Sequence, residues 1–284
     1  MNLLENKTIV ITGGSLGIGF AVAKKCVEDG AQVIIAARNK SDLIKAHFDL
    51  KSMSEHEHSY YVLDISDQLQ VKAFAGWCVN NFKEINGLVN CAGIYGPIGK
   101  TTEVDLIKFR DAININFLGT VFICSIFAPL LKSTTKKKII NYSGGGAASP
   151  FANYSAYSAS KIAIVRFTEN LSIELAEDNV DINCVAPGFV ITRLHNETLA
   201  VGSEAAGNNF YENTKKQIEK GGVPPEKAAN LTSFLLSSKS DGITGKFISA
   251  PWDLWEAEEF RNLLKCDKDF ATLRRIDNKN FYKT

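Results

Sequence analysis

The chain predicts a doubly wound α/β domain, with helices on both faces of a parallel sheet of about seven strands in three α/β/α layers. Short runs rich in β-branched residues alternate with amphipathic segments of helix length, and this alternation is typical of βαβ units with right-handed crossovers. The composition is ordinary for a globular domain, with 45% hydrophobic and 22% charged residues. The predicted strands are 8–12, 32–37, 60–63, 87–90, 138–142, 181–185 and 246–248.

Residues 1–250 are expected to form one nucleotide-binding domain, followed by a C-terminal extension over 251–284. No repeat and no linker rich in Pro, Gly or Ser divides the chain. The segment 193–225 is polar and irregular, and we interpret it as a substrate loop. Helices over 105–128 and 156–177 have more apolar surface than one sheet can cover, which predicts a homodimer or homotetramer.

Charge and hydropathy argue against several classes of partner. The formal net charge is +1, so nucleic acid and anionic membranes are not expected partners, and the basic run 136–138 is interpreted as a solvated loop. The apolar stretch 117–131 is shorter than the roughly 20 residues of a membrane span. The six cysteines show no metal-ligand spacing, and 55–58 (EHEH) reads as a charged connector, so no metal is expected. A small-molecule substrate and a cytoplasmic location are therefore predicted.

A glycine-rich turn, TGGSLGIG over 12–19, follows the first predicted strand, and a helical pattern begins at Phe20. Glycines at this spacing permit a tight turn and let the backbone approach a pyrophosphate at a helix N-terminus. The turn therefore predicts a dinucleotide site. Its expected lining residues are Gly13, Ser15, Leu16, Gly17, Ile18 and Gly19.

The end of the second strand bears on the choice of nucleotide. A site specific for NAD places a carboxylate there for the ribose hydroxyls, but this chain has Ala37 followed by Arg38. A guanidinium can pair with a 2′-phosphate, so NADP(H) is preferred and NAD(H) remains possible. Asp42 is an alternative partner for Arg38.

Three further segments follow in order: LDISD at 63–67, NCAG at 90–93 and PGFVIT at 187–192. With the turn, they resemble the short-chain dehydrogenase/reductase superfamily over roughly residues 5–250, with Cys91 a departure within NCAG. The resemblance implies a Rossmann-like fold and assigns Asp64 to the adenine amine and 187–192 to the nicotinamide carboxamide. The cofactor-binding residues it adds are Asp64, Ile65, Asn90, Ala92, Gly93, Pro187, Gly188, Val190 and Thr192.

Tyr157 and Lys161 are the expected centre of the chemistry. On a helix, positions i and i+4 share a face, so the ammonium can favour the phenolate and bring the tyrosine pKa toward the working range. The resemblance implies that both residues also contact the nicotinamide ribose, and that Lys161 passes protons through a water to Asn116. Asn114 is a nearby competitor without a glycine three residues on.

The family's catalytic serine stands thirteen residues before the tyrosine, where this chain has Gly144. Ser143 is the neighbouring candidate, although alternation along an extended strand would turn it to the opposite side. Otherwise Tyr157 alone, Ser149, Ser155 or a backbone amide polarises the substrate.

The expected function is an NADP(H)-dependent oxidoreductase acting on a carbonyl or secondary alcohol, with the polar segment 193–225 favouring a polar substrate. A catalytically weakened nucleotide-binding scaffold or regulator is one alternative, and a sugar-nucleotide epimerase or dehydratase is another. In the extension, Trp252 and Trp255 are expected to anchor the tail, and Arg274 with Arg275 to meet an anionic substrate group or solvent.

Overall fold

A computed structural model describes residues 2–131 and 133–276 and confirms the α/β architecture. Seven strands form one sheet in the order β3-β2-β1-β4-β5-β6-β7, and every adjacent pair is parallel. The chain order reverses between β1 and β4, which is where doubly wound sheets bind ligands. The strands are β1 Thr8–Thr12, β2 Gln32–Ala37, β3 Ser59–Val62, β4 Gly87–Asn90, β5 Lys137–Tyr142, β6 Val180–Ala186 and β7 Phe247–Ser249.

Helices cover both faces of this sheet, because its strands are apolar on both sides. One face packs against α1, α2, α9 and α10, and the other against α3, α5 and α6. The helices are α1 Gly17–Glu28, α2 Lys40–Lys51, α3 Gln68–Asn81, α4 Leu106–Ile113, α5 Gly119–Leu131, α6 Ser155–Glu174, α7 Arg193–Ala206, α8 Asn208–Glu219, α9 Pro225–Leu236 and α10 Glu258–Cys266. Short 3₁₀ turns occupy Ala176–Asp178 and Ser238–Ser240.

A π-helical turn, Asn114–Leu118, joins α4 to α5 without a break. Within the described residues, the continuous helix Leu106–Leu131 has the length and apolar composition of a membrane span. Its inward face, however, is packed against the sheet and α3 through Ile123, Cys124 and Phe127. Contact of this kind is typical of the core helix of an α/β domain.

Two expectations about polar segments were wrong. Lys137 and Lys138 lie in β5 and are buried, because Glu84 pairs with the first at 2.6 Å and Asp181 with the second at 2.8 Å. The segment 193–225 is mostly helical, since it forms α7, α8 and the start of α9. Its polarity reflects the amphipathic surface of helices on a domain, as expected where one face is solvated.

The extension wraps along β7 and the adjoining helices. Trp255 is buried and stacks on Phe234 at 5.8 Å, as predicted, whereas Trp252 is exposed. Lys246 donates to the carbonyl oxygens of residues 267, 268 and 270, and Phe247 N–H donates to Ala271 O at 2.8 Å. These bonds satisfy the outer edge of the sheet, which would otherwise present unpaired backbone groups.

The basic end of the tail is a structural anchor. Arg274 pairs with Glu169 at 2.7 Å and with Asp269 at 2.9 Å, so the expectation that it meets substrate or solvent is wrong. Residues 277–284 of the predicted extension lie outside the described residues.

Candidate active site

The glycine-rich turn between β1 and α1 has no room for side chains. Gly13 has φ +68°, and a Cβ there would lie 2.7 Å from Ala92 N. A Cβ on Gly19 would overlap the carbonyl oxygen of Gly13. Such close approach of backbone to backbone requires glycine, and it leaves the N-terminus of α1, which begins at Gly17, open to an anionic group.

This turn forms one wall of a cavity of about 580 Å³ at the carboxyl ends of β1, β2 and β4. The volume and the turn fit a dinucleotide, because the glycines let the backbone pack closely at the N-terminus of α1, where a pyrophosphate can bind. The predicted residues that line it are Gly13, Ser15, Leu16, Gly17, Ile18, Gly19, Arg38, Asp64, Ile65, Ala92, Gly93 and Thr192. Sequence reasoning missed Asn39, Leu63, Ile94, Ile115, Arg193 and Leu194.

Six other predicted cofactor residues are not part of this lining: Asn90, Tyr157, Lys161, Pro187, Gly188 and Val190. Asn90 is buried and donates to Asn141 Oδ1 at 2.9 Å, so its side chain ties β4 to β5. Pro187, Gly188 and Val190 belong to the turn after β6. A Cβ on Gly188 would lie 2.7 Å from Pro251 Cγ, which shows that the extension packs directly against this turn.

Arg38 stands at the end of β2 with its side chain exposed at the cavity rim, next to Ala37. No ion pair joins it to Asp42 within the described residues. Asp42 instead takes part in the cap of α2, where its N–H donates to Asn39 Oδ1. The guanidinium is therefore available at the cavity rim.

Tyr157 and Lys161 lie one turn apart on α6 and are both buried. Lys161 Nζ lies 5.5 Å from the centroid of the Tyr157 ring and donates to Tyr142 O at 3.0 Å. Burial raises the pKa of Tyr157 and lowers the pKa of Lys161. The expectation that the ammonium lowers the tyrosine pKa is not met here, because desolvation dominates; Tyr157 is a protonated phenol at neutral pH.

Asn116, rather than Asn114, reaches this site. It lies inside the π-helical turn and is fully buried. Its side-chain oxygen accepts from Ile94 N–H, and its amide donates to Ile94 O, each at 2.8 Å. The same amide donates to Ser160 Oγ. A Cβ on Gly93 would lie 3.2 Å from Asn116 Oδ1 and 3.4 Å from Lys161 Nζ, so both side chains meet at the cavity edge.

The two candidates for the missing serine behave differently. Gly144 faces Tyr157: a Cβ there would overlap the phenol oxygen. Ser143 is buried, and its hydroxyl donates to the carbonyl oxygen of Lys161 at 3.1 Å. The structure thus brings Tyr157, Lys161 and Asn116 together, while the Ser143 hydroxyl is engaged with the backbone of α6.

An aromatic cluster adjoins Tyr157. Tyr95, Phe151, Tyr154 and Phe210, which we call the aromatic wall, pack with ring centroids 4.3 to 5.1 Å apart. Tyr95 also meets the Tyr157 ring edge to face at 4.8 Å. Sequence reasoning missed these residues, although the position of Tyr95 just past β4, at the reversal of strand order, was a usable signal.

A second cavity, of about 680 Å³, opens between residues 96–108 and α7. Its lining includes both acidic and basic side chains, among them Glu103, Lys108 and Glu197. His195, on α7, is buried and packs at a tilt against Phe189, with ring centroids 4.0 Å apart. Burial lowers the pKa of His195 to about 4, so its imidazole is neutral at neutral pH.

Comparison with known proteins identifies the family of the chain. Residues 7–200 match the family model described as short chain dehydrogenase. The chain is 32% identical to the uncharacterized oxidoreductase YxbG of Bacillus subtilis over 251 residues, 88% of this chain and 91% of that protein. It is also 32% identical to the 3-oxoacyl-[acyl-carrier-protein] reductase FabG of Chlamydia trachomatis over 257 residues, which cover 87% of this chain and 96% of that protein.

Solved structures share the fold. NAD⁺-bound xylitol dehydrogenase superposes with a TM-score of 0.80 at 21% identity, over 87% of this chain and 98% of that one. A short chain dehydrogenase from Shigella flexneri complexed with NADP gives 0.76 at 23% identity, over 88% and 98%. With most of its length matched and a Tyr-Lys pair at the edge of a dinucleotide cavity, the chain belongs to the short-chain dehydrogenase/reductase family of oxidoreductases.

Proposed function

We propose that the protein is an NADP(H)-dependent oxidoreductase that transfers a hydride between nicotinamide and a carbonyl or secondary alcohol. The observation that carries the proposal is the meeting of Tyr157 and Lys161 with Asn116 at Gly93, on the edge of the dinucleotide cavity. The nicotinamide, when bound, supplies or accepts the hydride. The remaining chemistry, which is positioning and proton transfer, belongs to the protein.

In the reductive direction Tyr157 is the proton donor. Its raised pKa keeps the phenol protonated at neutral pH, so the hydroxyl can give its proton to the carbonyl oxygen as negative charge develops there. Lys161 lies close enough to stabilise the resulting phenolate. The Asn116 side chain positions the loop after β4 through its two hydrogen bonds to the backbone of Ile94.

The roles proposed for the rest of the cofactor site follow the cavity. The turn 13–19 and α1 hold the pyrophosphate, Asp64 and Ile65 face the adenine, and Ala92 with Gly93 line the nicotinamide end. Thr192 and the turn carrying Pro187, Gly188 and Val190 hold the carboxamide. Asn90 supports this edge from within the sheet.

Arg38 is the basis for preferring NADP(H). It lies exposed at the rim beside Ala37, without an ion pair to Asp42 in the described chain. Binding of a 2′-phosphate would give the guanidinium a charged partner, and an NAD(H) ribose would leave it without one.

The substrate is proposed to carry an apolar or aromatic group beside its reacting carbon. The polar residues of 193–225 favour a polar substrate, and the aromatic wall packed against Tyr157 favours an apolar or aromatic group next to its reacting carbon. The apolar outer face of α4 and α5, where Leu106 is 69% and Leu130 is 37% exposed, supports association into a homo-oligomer. We also propose a cytoplasmic location for the protein.

The test is a titration of the purified protein with NADPH and NADH, followed by quenching of protein fluorescence. We expect NADPH to bind more tightly and Arg38→Ala to weaken it by about 10-fold to 100-fold, as for loss of a charged hydrogen-bonded pair. Lys40→Ala is the matched control, because Lys40 is an exposed cation two residues away that does not line the cavity. Failure of both nucleotides to bind would leave a remodelled scaffold as the better reading.

A further inference from the structure

Four tyrosines in the described part of the chain are buried: Tyr95, Tyr142, Tyr154 and Tyr157. Two of their hydroxyls have structural partners, since Tyr142 bonds with Thr232 at 2.7 Å and Tyr154 donates to Thr198 at 2.9 Å. The hydroxyls of Tyr95 and Tyr157 have no such bond within the described residues, and neither is among the fully buried polar atoms that lack a partner there. Both hydroxyls can therefore donate to a ligand that enters the cleft.

The two rings are held against each other. Tyr95 packs edge to face on Tyr157 at 4.8 Å and on Tyr154 at 5.1 Å. The backbone of the preceding residue is held in place, because the Asn116 side chain forms hydrogen bonds with both the N–H and the carbonyl oxygen of Ile94. Tyr95 is therefore as firmly placed as Tyr157, with only 4% of its surface exposed.

A serine at position 144, where the family has its catalytic serine, is incompatible with the observed position of the Tyr157 side chain. Any Cβ there would overlap the phenol oxygen of Tyr157 and come within 3.2 Å of its Cζ. Ser143, one residue earlier, already donates to Lys161 O. The site therefore needs a different second donor for the substrate oxygen.

We propose that the Tyr95 hydroxyl is this donor, so that the substrate oxygen is bound by two tyrosines. The inference rests on the proposed function. As the hydride adds to the carbonyl carbon with its electron pair, the C=O π bond breaks toward oxygen. That oxygen takes the proton of Tyr157, which becomes a phenolate. Tyr95 donates a hydrogen bond throughout and keeps its own proton.

Burial raises the pKa of both Tyr95 and Tyr157. Both phenols are therefore protonated at neutral pH, and each can donate a hydrogen bond to the substrate oxygen.

Tyr95→Phe is the deciding variant, because it removes one oxygen and leaves the ring packing in place. The matched control is Tyr61→Phe, which removes the same oxygen from a tyrosine that packs on Phe74 and Trp77 away from the cleft. The assay is NADPH-dependent reduction of 4-nitrobenzaldehyde and of butane-2,3-dione, with NADPH affinity and the denaturant midpoint measured in parallel. We expect Tyr95→Phe to lower kcat by about 10²–10³-fold, with NADPH affinity and the denaturant midpoint unchanged.

Tyr61→Phe should leave kcat and NADPH affinity close to wild type, because the Tyr61 hydroxyl does not face the cleft. Equal kcat for Tyr95→Phe and wild type would overturn the proposal. So would wild-type protein that binds NADPH but reduces neither carbonyl, although cofactor binding would then stand. If wild type binds no nucleotide, the proposed function itself fails, and the two failures are thereby distinguished.

Discussion

The two walls of the cleft are built in different ways. The cofactor wall (residues 13–19, Arg38, Asp64, Ala92 and Gly93) consists largely of backbone and glycine at the ends of β-strands. The aromatic wall consists of large rings carried by the loop after β4, the loop between β5 and α6, and α8. A wall of backbone suits a nucleotide cofactor, which is the same in many enzymes. A wall of side chains suits the substrate, which differs between enzymes. Substitutions should therefore separate nucleotide binding from turnover.

The largest effect is expected from Gly19→Val in the cofactor wall. The new side chain would overlap the carbonyl oxygen of Gly13, so nucleotide binding should be lost and the free energy of unfolding should fall by about 3 kcal/mol. Fluorescence titration and urea denaturation measure the two effects. Gly76→Ala is the control: its Cβ would meet nothing within 4 Å, and stability should rise by about 0.5–1 kcal/mol. Intact NADPH binding by Gly19→Val would contradict the assigned cradle.

Tyr157→Phe should lower turnover without affecting nucleotide binding. Loss of the proton donor is expected to reduce kcat/KM by about 10²–10⁴-fold, while NADPH still binds because the turn is untouched. Tyr61→Phe is a suitable control, since Tyr61 packs on Phe74 and Trp77 away from the cleft. Steady-state kinetics with an aromatic aldehyde provide the measurement. If Tyr157→Phe kept most of its activity, another group would have to be the acid.

Acid should destabilise both sides of the molecule through buried histidines. His195, at the cleft, and His58, which accepts from Val33 N–H of β2, each have a pKa lowered from 6.5 to about 4 by burial. As pH falls below 6.5, the unfolded chain binds protons that the folded chain does not, so stability decreases until about pH 4. The loss is at most about 3 kcal/mol per histidine.

The contribution of each histidine can be measured from the unfolding free energies of wild type, His195→Asn and His58→Asn between neutral and acidic pH. Both variants keep a side-chain acceptor, and each should show a shallower decline than wild type. A decline of the same slope in all three proteins would show that carboxylates, rather than these histidines, control acid stability.

The smallest effect is expected from Phe210→Ala in the aromatic wall. Phe210 is partly buried and packs edge to face on Phe151 at 4.7 Å and on Tyr154 at 5.1 Å. Its loss should cost about 1–2 kcal/mol of stability, less than for a fully buried phenylalanine. KM for an aromatic aldehyde should rise with NADPH affinity unchanged. A selective loss of NADPH binding would show that this wall contacts the nucleotide instead.

Much of the fold and cofactor site could be predicted because the signals are local. The glycine turn at 12–19, the strand periods and the four-residue spacing of Tyr157 and Lys161 depend on a few adjacent residues. Each is set by backbone geometry: a positive φ, a two-residue repeat, a helical turn. The seven strands accordingly lie within about a residue or two of their predicted bounds.

The rest depended on partners far along the chain. In the sequence, Lys137 and Lys138 appear in a basic run that predicts solvent exposure, but in the folded chain they pair with Glu84 and Asp181. The segment 193–225, predicted to be irregular, is mostly helical. Burial, which only the packed chain defines, turned Tyr157 into a weaker acid and His195 into a neutral ring. The sequence alone determined the backbone motifs of the proposed nucleotide site, and the tertiary structure decided the desolvation, the aromatic wall and the packing of Tyr95 against Tyr157. Those properties arise from residues that meet only when the sheet and its helices close around the cleft.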